Sequence, residues 1–372
     1  MFWAYYALVP TLPIYLIKTL RISHRDVGLL MAVFFISAIV VRPIAGYLID
    51  NYYRSGVLII SLSLMTAAFG IYPFISTVAG IFLLRLIHGA TWGICTSSVA
   101  PIVVDSLPSS RIGQGIGIYA VTGPIGMTIG PMFGLELLRS LGPSVMFPAI
   151  FGVSFLSLTG AFCARTPFEP VIKKKLRLAG LLHEKALPLS FCMFFIMIAY
   201  GSIVVFVSIY AEQRNFPNVS PFFLCFSIAI FLSRFFAGRL FDKGYVSQLI
   251  FTGLALTAAG MLWLGYATSP AQFLLAGMIN GLGFGILMPT CHAAINSLVK
   301  SSERGAANST YLISYDLGVG AGSLIIGSLS DMISLGIIYR YAALLIILSA
   351  GMFVFKAIPY YRRNRQDGGS TS

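Results

Sequence analysis

Residues 40–50 read VVRPIAGYLID, and residues 232–242 read LSRFFAGRLFD. The Arg, Ala, Gly, Leu and Asp positions of the two stretches match at an offset of 192 residues. The same offset continues without a gap and pairs glycines in later segments: Gly89 with Gly281, Gly93 with Gly285, Gly126 with Gly318, and Gly130 with Gly322. A repeat of this length indicates a duplicated domain and not a solenoid of short units. The chain is therefore predicted to consist of two homologous halves.

Composition predicts that both halves lie in a membrane. Hydrophobic residues make up 57% of the 372 residues and charged residues 10%, whereas soluble proteins carry about 25% charged residues. This excludes a soluble enzyme of ordinary composition, a disordered chain and a coiled coil, and it leaves a polytopic membrane protein. The five cysteines lie in apolar stretches without CxxC spacing or a His/Cys ligand pattern, so no metal and no cofactor are expected.

Twelve windows are long and apolar enough to span the hydrocarbon core, which needs about 20 residues. They run roughly over 2–17, 27–49, 56–75, 79–104, 112–134, 144–164, 188–211, 220–240, 247–266, 271–296, 305–330 and 336–358. We predict an all-α integral membrane protein with twelve transmembrane helices in two parallel six-helix bundles. The predicted bundles cover 1–164 and 188–358, joined by a basic linker at 165–187 and followed by a tail at 359–372.

The first window is shorter than its repeat. The pair Ile14-Tyr15 aligns with Ile209-Tyr210, but the seventh window extends further on the N-terminal side than the first one can. At 1.5 Å per residue the first window covers about 25 Å, less than the ~30 Å hydrocarbon core. We therefore expect that the first helix is truncated at its N-terminal end in this sequence.

The distribution of Lys and Arg predicts the orientation. If the first span runs outward from the cytoplasm, the cytoplasmic loops and tail hold 16 of the 25 basic residues and the outer loops hold 6. This bias follows the positive-inside rule, so both termini are predicted to be cytoplasmic, in the inner membrane of the cell. The topology signal accounts for the net charge of +13 without a nucleic-acid partner.

A short acidic motif follows the second span and recurs after the eighth. The first copy runs from Gly46 to Arg54 and contains Asp50, and the second copy contains Asp242 and Lys243. A carboxylate at the membrane edge can sit against the positive end of a neighbouring helix or pair with a loop arginine. Plain helix termination at the interface is the alternative.

The fourth span carries an arginine inside the predicted hydrocarbon core. Arg85, His88 and Trp92 follow a spacing of i, i+3 and i+7 and therefore share one helix face. An arginine within a span is costly unless it faces a cavity or a partner. We therefore expect these residues to line a cavity. For His88, a hydrogen bond to a neighbouring helix is the alternative.

The fifth span carries glycines at a regular spacing. Gly117, Gly126, Gly130, Pro131 and Gly134 follow the pattern G-x8-G-x3-G-P-x2-G. Small residues four apart let helices approach closely, and a proline kinks a helix. Generic small-residue packing would use the same glycines.

These motifs together resemble those of the major facilitator superfamily over essentially the whole chain, and most of all its twelve-span drug:proton antiporters and metabolite efflux permeases. The resemblance implies two halves that expose a small-molecule site alternately to either side of the membrane. It implies that the glycine pattern of the fifth span marks an exporter, and that the acidic motifs latch a cytoplasmic gate. The implied latch residues are Asp50 with Arg304, Asp242 with Arg111, and the basic motif residues Arg54 and Lys243.

One acidic residue lies far inside a span. Asp316 sits in the sequence YLISYDLG of the eleventh window, whereas nearly all other acids lie at span ends or in loops. Burial disfavours an ionised carboxylate, so such a group can take up a proton on one side of the membrane and release it on the other. We expect Asp316, with Arg85, to couple transport to protons. A fixed ion pair with Arg42, Arg85 or Arg234 is the alternative.

The resemblance also implies that spans 1, 4, 7 and 10 line the substrate cavity. In the tenth window, Asn280, Phe284, Met288 and His292 form a stripe at i, i+4, i+8 and i+12. Tyrosines from other spans are expected to join this stripe: Tyr5, Tyr6, Tyr200 and Tyr315. Aromatic stripes of this kind can equally pack against a neighbouring helix or face lipid.

The predicted function is proton-coupled efflux of a small organic molecule by a monomeric transporter in the lipid bilayer. Proton-coupled uptake of a nutrient or an organic anion is the alternative, because Arg85 would suit an anion. An enzyme is not expected, since no phosphate loop, metal constellation or nucleophile motif occurs outside the predicted helices.

Overall fold

The computed structural model describes residues 1–108, 111–163, 182–300 and 303–364, without the side chains of 112–118, 120, 121 and 124. Within these ranges the regular structure is helical and no strand occurs, so the predicted all-α fold is confirmed. Ten helices of the described residues are long and apolar enough to cross a membrane.

The helices of the first half lie close to the predicted windows. They are α1 (Phe2–Lys18), α2 (His24–Asn51), α3 (Arg54–Ile71), α4 (Val78–Asp105), α5 (Ile112–Ser140) and α6 (Pro143–Cys163). The first of them has 17 residues, against 27 in its repeat α7.

The helices of the second half follow the same order. They are α7 (Leu187–Gln213), α8 (Ser220–Asp242), α9 (Val246–Tyr266), α10 (Pro270–Ser297), α11 (Arg304–Leu329) and α12 (Leu335–Met352). A π-helical turn (Phe353–Ala357) and a short helix α13 (Ile358–Asn364) continue the last span. The helical backbone thus extends past residue 358, where the sequence predicted that the last span ends. The basic run 173–177 of the predicted linker lies outside the described residues.

Contacts divide the chain into two compact units, Met1–Leu178 and Ala179–Ser372. In the first unit, α1 packs against α5, α2 against α4, and α3 against α4 and α6. In the second, α7 packs against α11, α8 against α10, and α9 against α10 and α12. Each helix pair of the first unit therefore has its counterpart in the second.

Individual residues repeat these contacts at the offset read from the sequence. Gly89 of α4 approaches the carbonyl oxygen of Phe34 on α2 so closely that a Cβ would overlap it. Its repeat mate Gly281 of α10 meets the carbonyl oxygen of Phe226 on α8 in the same way. The two phenylalanines are themselves 192 residues apart, so the repeat extends to atomic contacts.

Helix caps follow the repeat as well. The Thr77 side chain accepts a hydrogen bond from the Gly80 amide at 3.2 Å and caps α4. Its repeat mate Ser269 accepts from the Gln272 amide at 3.3 Å and caps α10. Such caps satisfy amides that have no partner within the helix, and they fix where the helices that carry Arg85 and the tenth-span stripe begin.

Candidate functional site

Arg85 is held inside the first unit by α2. The residue is 1% exposed. Its Nε donates to the Leu30 carbonyl oxygen at 3.1 Å, and its Nη2 lies 3.5 Å from Met31 Sδ. The guanidinium carbon lies 4.3 Å from the centre of the Phe34 ring, a cation–π contact. Among the described residues of this unit, no carboxylate oxygen comes within 4.0 Å of the guanidinium, so no acid there compensates its charge.

His88 lies one turn further along α4 and is fully buried. Its Nδ1 lies 3.1 Å from the hydroxyl oxygen of Tyr72, in the 3-10 turn that follows α3. The Phe69 ring packs edge-on against the imidazole, with the centres 4.7 Å apart. The other nitrogen, Nε2, is buried without a hydrogen-bond partner. The ring thus bonds to a neighbouring helical segment, the arrangement given above as the alternative, and its place in a substrate cavity stays a prediction.

Three aromatic residues form a cluster next to Arg85. The Tyr5 ring of α1 stacks on Trp92 of α4, with centres 3.9 Å apart and planes 21° apart. It also stacks on Phe34 of α2 at 5.4 Å. Phe34 therefore contacts both the Arg85 guanidinium and Tyr5. The first-unit triad is defined here as Tyr5, Phe34 and Trp92; Tyr6 adjoins it, 5.0 Å from Tyr5.

The second unit contains the matching triad. Tyr200 of α7 lies 5.2 Å from Phe284 of α10 and 6.4 Å from Phe226 of α8. The two phenylalanine rings are 6.1 Å apart, and Tyr315 of α11 adjoins Tyr200 at 6.0 Å. Phe226 and Phe284 are the repeat mates of Phe34 and Trp92. This second-unit triad is therefore the same feature in the other half.

The polar residues behind the two triads differ. The repeat mate of Arg85 is Gly277, where the ring of Phe222 takes the space that a side chain would fill. The repeat mate of His88 is Asn280, whose Nδ2 donates to the Ala276 carbonyl oxygen at 2.9 Å while its Oδ1 is buried without a partner. The buried cation at this level is therefore a feature of the first unit.

The last two residues of the tenth-span stripe, Met288 and His292, contact α11. The Met288 carbonyl oxygen accepts a hydrogen bond from the Tyr311 hydroxyl at 3.2 Å. The His292 ring stacks on Tyr311, with centres 4.8 Å apart, and its Nε2 lies 2.8 Å from Asn308 Oδ1. Phe284, Met288 and His292 therefore contact α7, α8 and α11, and the spacing along α10 does not specify these contacts.

Asp316 lies in α11 and is 3% exposed. It is thus a carboxylate buried within a membrane-spanning helix. Two of the arginines named as its alternative partners differ in burial: Arg42 is 7% exposed, and Arg234 is half-buried. Among the described residues, no group of three or more His, Cys, Asp or Glu side chains could hold a metal ion.

The glycine face of α5 packs against the start of α1. A Cβ at Gly126 would lie 2.8 Å from Phe2 Cβ, and one at Gly130 would lie 2.8 Å from Tyr6 Cβ and 2.9 Å from the Ala7 amide nitrogen. Gly134 meets the Ala7 carbonyl oxygen. Pro131, which follows Gly130, is buried. The surroundings of Gly117 lie outside what the structure describes. The helix that carries Tyr5 is therefore in backbone contact with this motif.

The acidic motifs lie at the ends of α2 and α8. Arg54 forms an ion pair with Asp105 at the end of α4, at 2.5 Å, where both side chains are 25% exposed. Asp50 is half-buried, and the other motif residues are exposed at helix ends: Asp242, Lys243, Arg111 and Arg304. The pairings of Asp50 with Arg304 and of Asp242 with Arg111 stay predictions.

Sequence reasoning missed four residues of this site. Phe34 and Phe226 were available from the repeat, because both are phenylalanine at the same offset. Tyr72 and Asp105 have no such signal, because their contacts with His88 and Arg54 depend on how neighbouring helices are turned.

Comparison with known proteins agrees with the fold. The sequence model of the Major Facilitator Superfamily matches residues 1–248 and 189–371. The chain is similar to the staphylopine export protein of Staphylococcus aureus strain Mu50, with 24% identity over 88% of this chain and 86% of the relative. It is also similar to a homologue of the multi-drug resistance efflux pump PmrA from Lactococcus lactis, with 26% identity over 93% and 87%.

A solved structure shows the same fold. The crystal structure of a point mutant of the nucleoside transporter NupG superposes with a TM-score of 0.80 at 12% identity, over 95% of this chain and 96% of that one. A match at this identity speaks for the fold and not for the substrate. With the family model covering almost every residue, the chain belongs to the Major Facilitator Superfamily and is a multi-pass membrane transporter of a small molecule, not an enzyme.

Proposed function

We propose that this transporter is a proton-coupled exporter that works by antiport. It moves a small organic molecule out of the cell while protons enter, as a monomer in the inner (cytoplasmic) membrane with both termini in the cytoplasm. Two relatives support the direction, since their names describe export of staphylopine and efflux of drugs. The positive-inside distribution of Lys and Arg supports the orientation.

The observation that carries the proton coupling is the burial of Asp316 within α11. A carboxylate in an apolar environment is far more stable when it is protonated. It binds a proton when its surroundings are dry and releases it when water enters. Alternating access changes hydration in this way once per cycle, so a buried carboxylate can exchange a proton with either side in turn.

Arg85 has the complementary role in this proposal. Its charge has no compensating carboxylate among the described residues of its own unit. A buried cation of this kind stabilises an anion that forms or arrives during the cycle. We assign to it the stabilisation of the deprotonated state of the coupling site.

The aromatic triads would supply the substrate contacts. The cavity residues proposed are two members of each triad and residues near them: Tyr5, Tyr6, Trp92, His88, Tyr200, Asn280, Phe284, Met288, His292 and Tyr315. Apolar and aromatic surfaces with few polar groups bind varied organic molecules. The close contact between α5 and α1 would transmit the movement, because Gly126, Gly130 and Gly134 meet the helix that carries Tyr5 and Tyr6.

Inverted membrane vesicles with an imposed pH gradient test this proposal. Ethidium serves as the drug probe and staphylopine as the second probe. The Asp316→Asn variant should lose uptake driven by the gradient but keep exchange of labelled for unlabelled probe across the membrane, since exchange needs no net proton movement. The matched control Asp331→Asn removes an exposed carboxylate at the end of α11 and should transport normally. Gradient-driven uptake by Asp316→Asn at the wild-type rate would refute the role of Asp316.

Proton-coupled uptake of a nutrient or organic anion is the second candidate. Arg85 is a buried cation without a carboxylate partner in its unit. This favours uptake of an anion, because an anionic substrate could provide the negative charge that would neutralise the arginine. Intact cells distinguish the two candidates. Expression lowers the steady-state level of an exported probe in energised cells and raises that of an imported one.

A further inference from the structure

A cavity of 380 Å³ lies among α8, α9 and α10 of the second unit. Apolar side chains form most of its wall, among them Phe236, Leu240, Leu249, Leu256 and Leu282. Its size falls within the range of about 300–1,000 Å³ for small-molecule sites. None of these residues belongs to the triads or the coupling site, so the proposed transport mechanism does not use the cavity.

The cavity forms a groove, and the length of this groove matches the thickness of one leaflet of a bilayer. Along α9 its wall extends from Tyr245, at the turn between α8 and α9, to Leu256. Eleven residues of helix cover about 16 Å, which is half of a hydrocarbon core of about 30 Å. The groove therefore begins at the level of the headgroups and ends near the midplane, as an acyl chain does.

The groove borders an outward-facing apolar surface. Phe235 and Phe236 of α8 are 56% and 64% exposed. Exposed apolar side chains on a membrane-spanning helix suit contact with lipid acyl chains. A lipid chain would enter the groove from this side.

The headgroup end of the groove carries basic residues. The α8 wall residues Ser233, Phe236, Ala237 and Leu240 follow a spacing of i, i+3, i+4 and i+7, which is one helix face. Lys243 comes three residues after Leu240 and continues this face at the end of the helix. Arg239 and Lys243 are both exposed. Asp242 is exposed beside them, so the net charge of this mouth is positive.

We propose that the groove is a binding site for one anionic phospholipid, with an acyl chain along α9 and the phosphate held at Lys243 and Arg239. Basic residues at a membrane surface attract anionic lipid headgroups. Tyr245, 48% exposed at the same turn, lies where aromatic side chains favour the interface.

Native mass spectrometry of the detergent-purified protein tests the site. The protein is incubated with an equimolar mixture of phosphatidylglycerol and phosphatidylethanolamine that share the same acyl chains. The mouth has a net charge of +1 from Lys243, Arg239 and Asp242, so the wild type should retain one phosphatidylglycerol about fivefold more often than phosphatidylethanolamine. The Lys243→Gln variant leaves Arg239 and Asp242 with no net charge and should retain the two lipids equally. The Leu256→Trp variant fills the groove and should lower the occupancy by both lipids at least about fivefold, given the bulk of the indole.

Two matched variants act as controls. Leu64→Trp places the same bulk at the repeat mate of Leu256, a residue of α3 that is 51% exposed. Lys300→Gln removes an exposed charge at the end of α10. Both should bind lipid as the wild type does.

Each other outcome overturns the proposal. Equal retention of both lipids by the wild type overturns the headgroup assignment. Wild-type occupancy in Leu256→Trp shows that the lipid binds elsewhere. A dimer that Leu256→Trp converts to a monomer assigns the groove to a second copy of the chain. Lys243→Gln keeps these conclusions independent of any folding defect in the tryptophan variant.

Discussion

Replacement of Gly130 by alanine tests the close contact between α5 and α1. A Cβ at this position would lie 2.8 Å from Tyr6 Cβ, 2.9 Å from the Ala7 amide nitrogen and 2.9 Å from the Trp3 carbonyl oxygen. Two of these atoms belong to the backbone of a helix, so they cannot move as the end of a flexible side chain can. The two helices must therefore separate.

The expected cost follows from two opposing effects. Overpacking a close contact costs about 1–3 kcal/mol. Alanine gains about 0.5–1 kcal/mol over glycine within a helix, so the net loss in the free energy of unfolding is about 0–2.5 kcal/mol. For a unit of this size, 1 kcal/mol corresponds to about 2–4 °C. The Tm of Gly130→Ala should fall by up to about 10 °C.

Gly152 of α6 provides the matched control. A Cβ there would meet no atom within 4 Å, so Gly152→Ala should keep the helix gain alone and raise the Tm by about 1–4 °C. The repeat mate Gly322→Ala should behave as Gly130→Ala does, because its Cβ would lie 3.0 Å from Ile198 Cα and close to the carbonyl oxygen of that residue. Scanning fluorimetry of the detergent-purified variants measures all three. A Tm of Gly130→Ala equal to or above that of Gly152→Ala would refute the close contact.

Three further predictions follow from the first unit. Arg85→Met should keep or raise the Tm, because it removes a buried charge that has no carboxylate partner in its unit. The same variant should abolish ethidium export. A large fall in Tm would instead mean that the arginine stabilises the fold. Tyr72→Phe leaves both ring nitrogens of His88 without a partner and should lower stability by about 1–3 kcal/mol; a Tm equal to that of the wild type would contradict the hydrogen bond. A double-mutant cycle of Arg54→Ala and Asp105→Ala should give a coupling of about 0.5–1 kcal/mol that falls with salt, whereas strictly additive effects would show that the ion pair does not form in solution.

The fold was accessible from the sequence because each of its determinants is local or repeated. Hydrophobic windows predict which segments form membrane-spanning helices. A repeat without gaps predicts which residues of the second half occupy the same positions as residues of the first half. For this reason the offset of 192 residues recurs in the contacts of Gly89 with Phe34 and of Gly281 with Phe226.

The site was accessible only in part. Spacing along one helix places Arg85, His88 and Trp92 on the same face, and the structure brings all three against α2 and its Phe34. The spacing does not predict which groups on the next helix these residues contact, because those contacts depend on how the neighbouring helix is rotated. The contact of His88 with Tyr72 therefore emerged only from the structure.

The same limit applies to the acidic motif. Arg54 was expected to belong to a gate latch on the strength of the motif alone. The structure pairs it with Asp105, 51 residues later in the sequence, and no periodicity connects the two. Ion pairs between helix ends depend on tertiary packing, which a single sequence leaves open.

Proton movement during transport by the purified protein is the most direct test of coupling through Asp316. Proteoliposomes hold a pH-sensitive dye inside, and ethidium is added without an imposed gradient. We predict that ethidium transport moves protons in the opposite direction. Asp316→Asn should abolish this proton movement, and Asp331→Asn should keep it. Ethidium transport with no proton movement, or with protons moving in the same direction, would contradict proton-coupled antiport through Asp316.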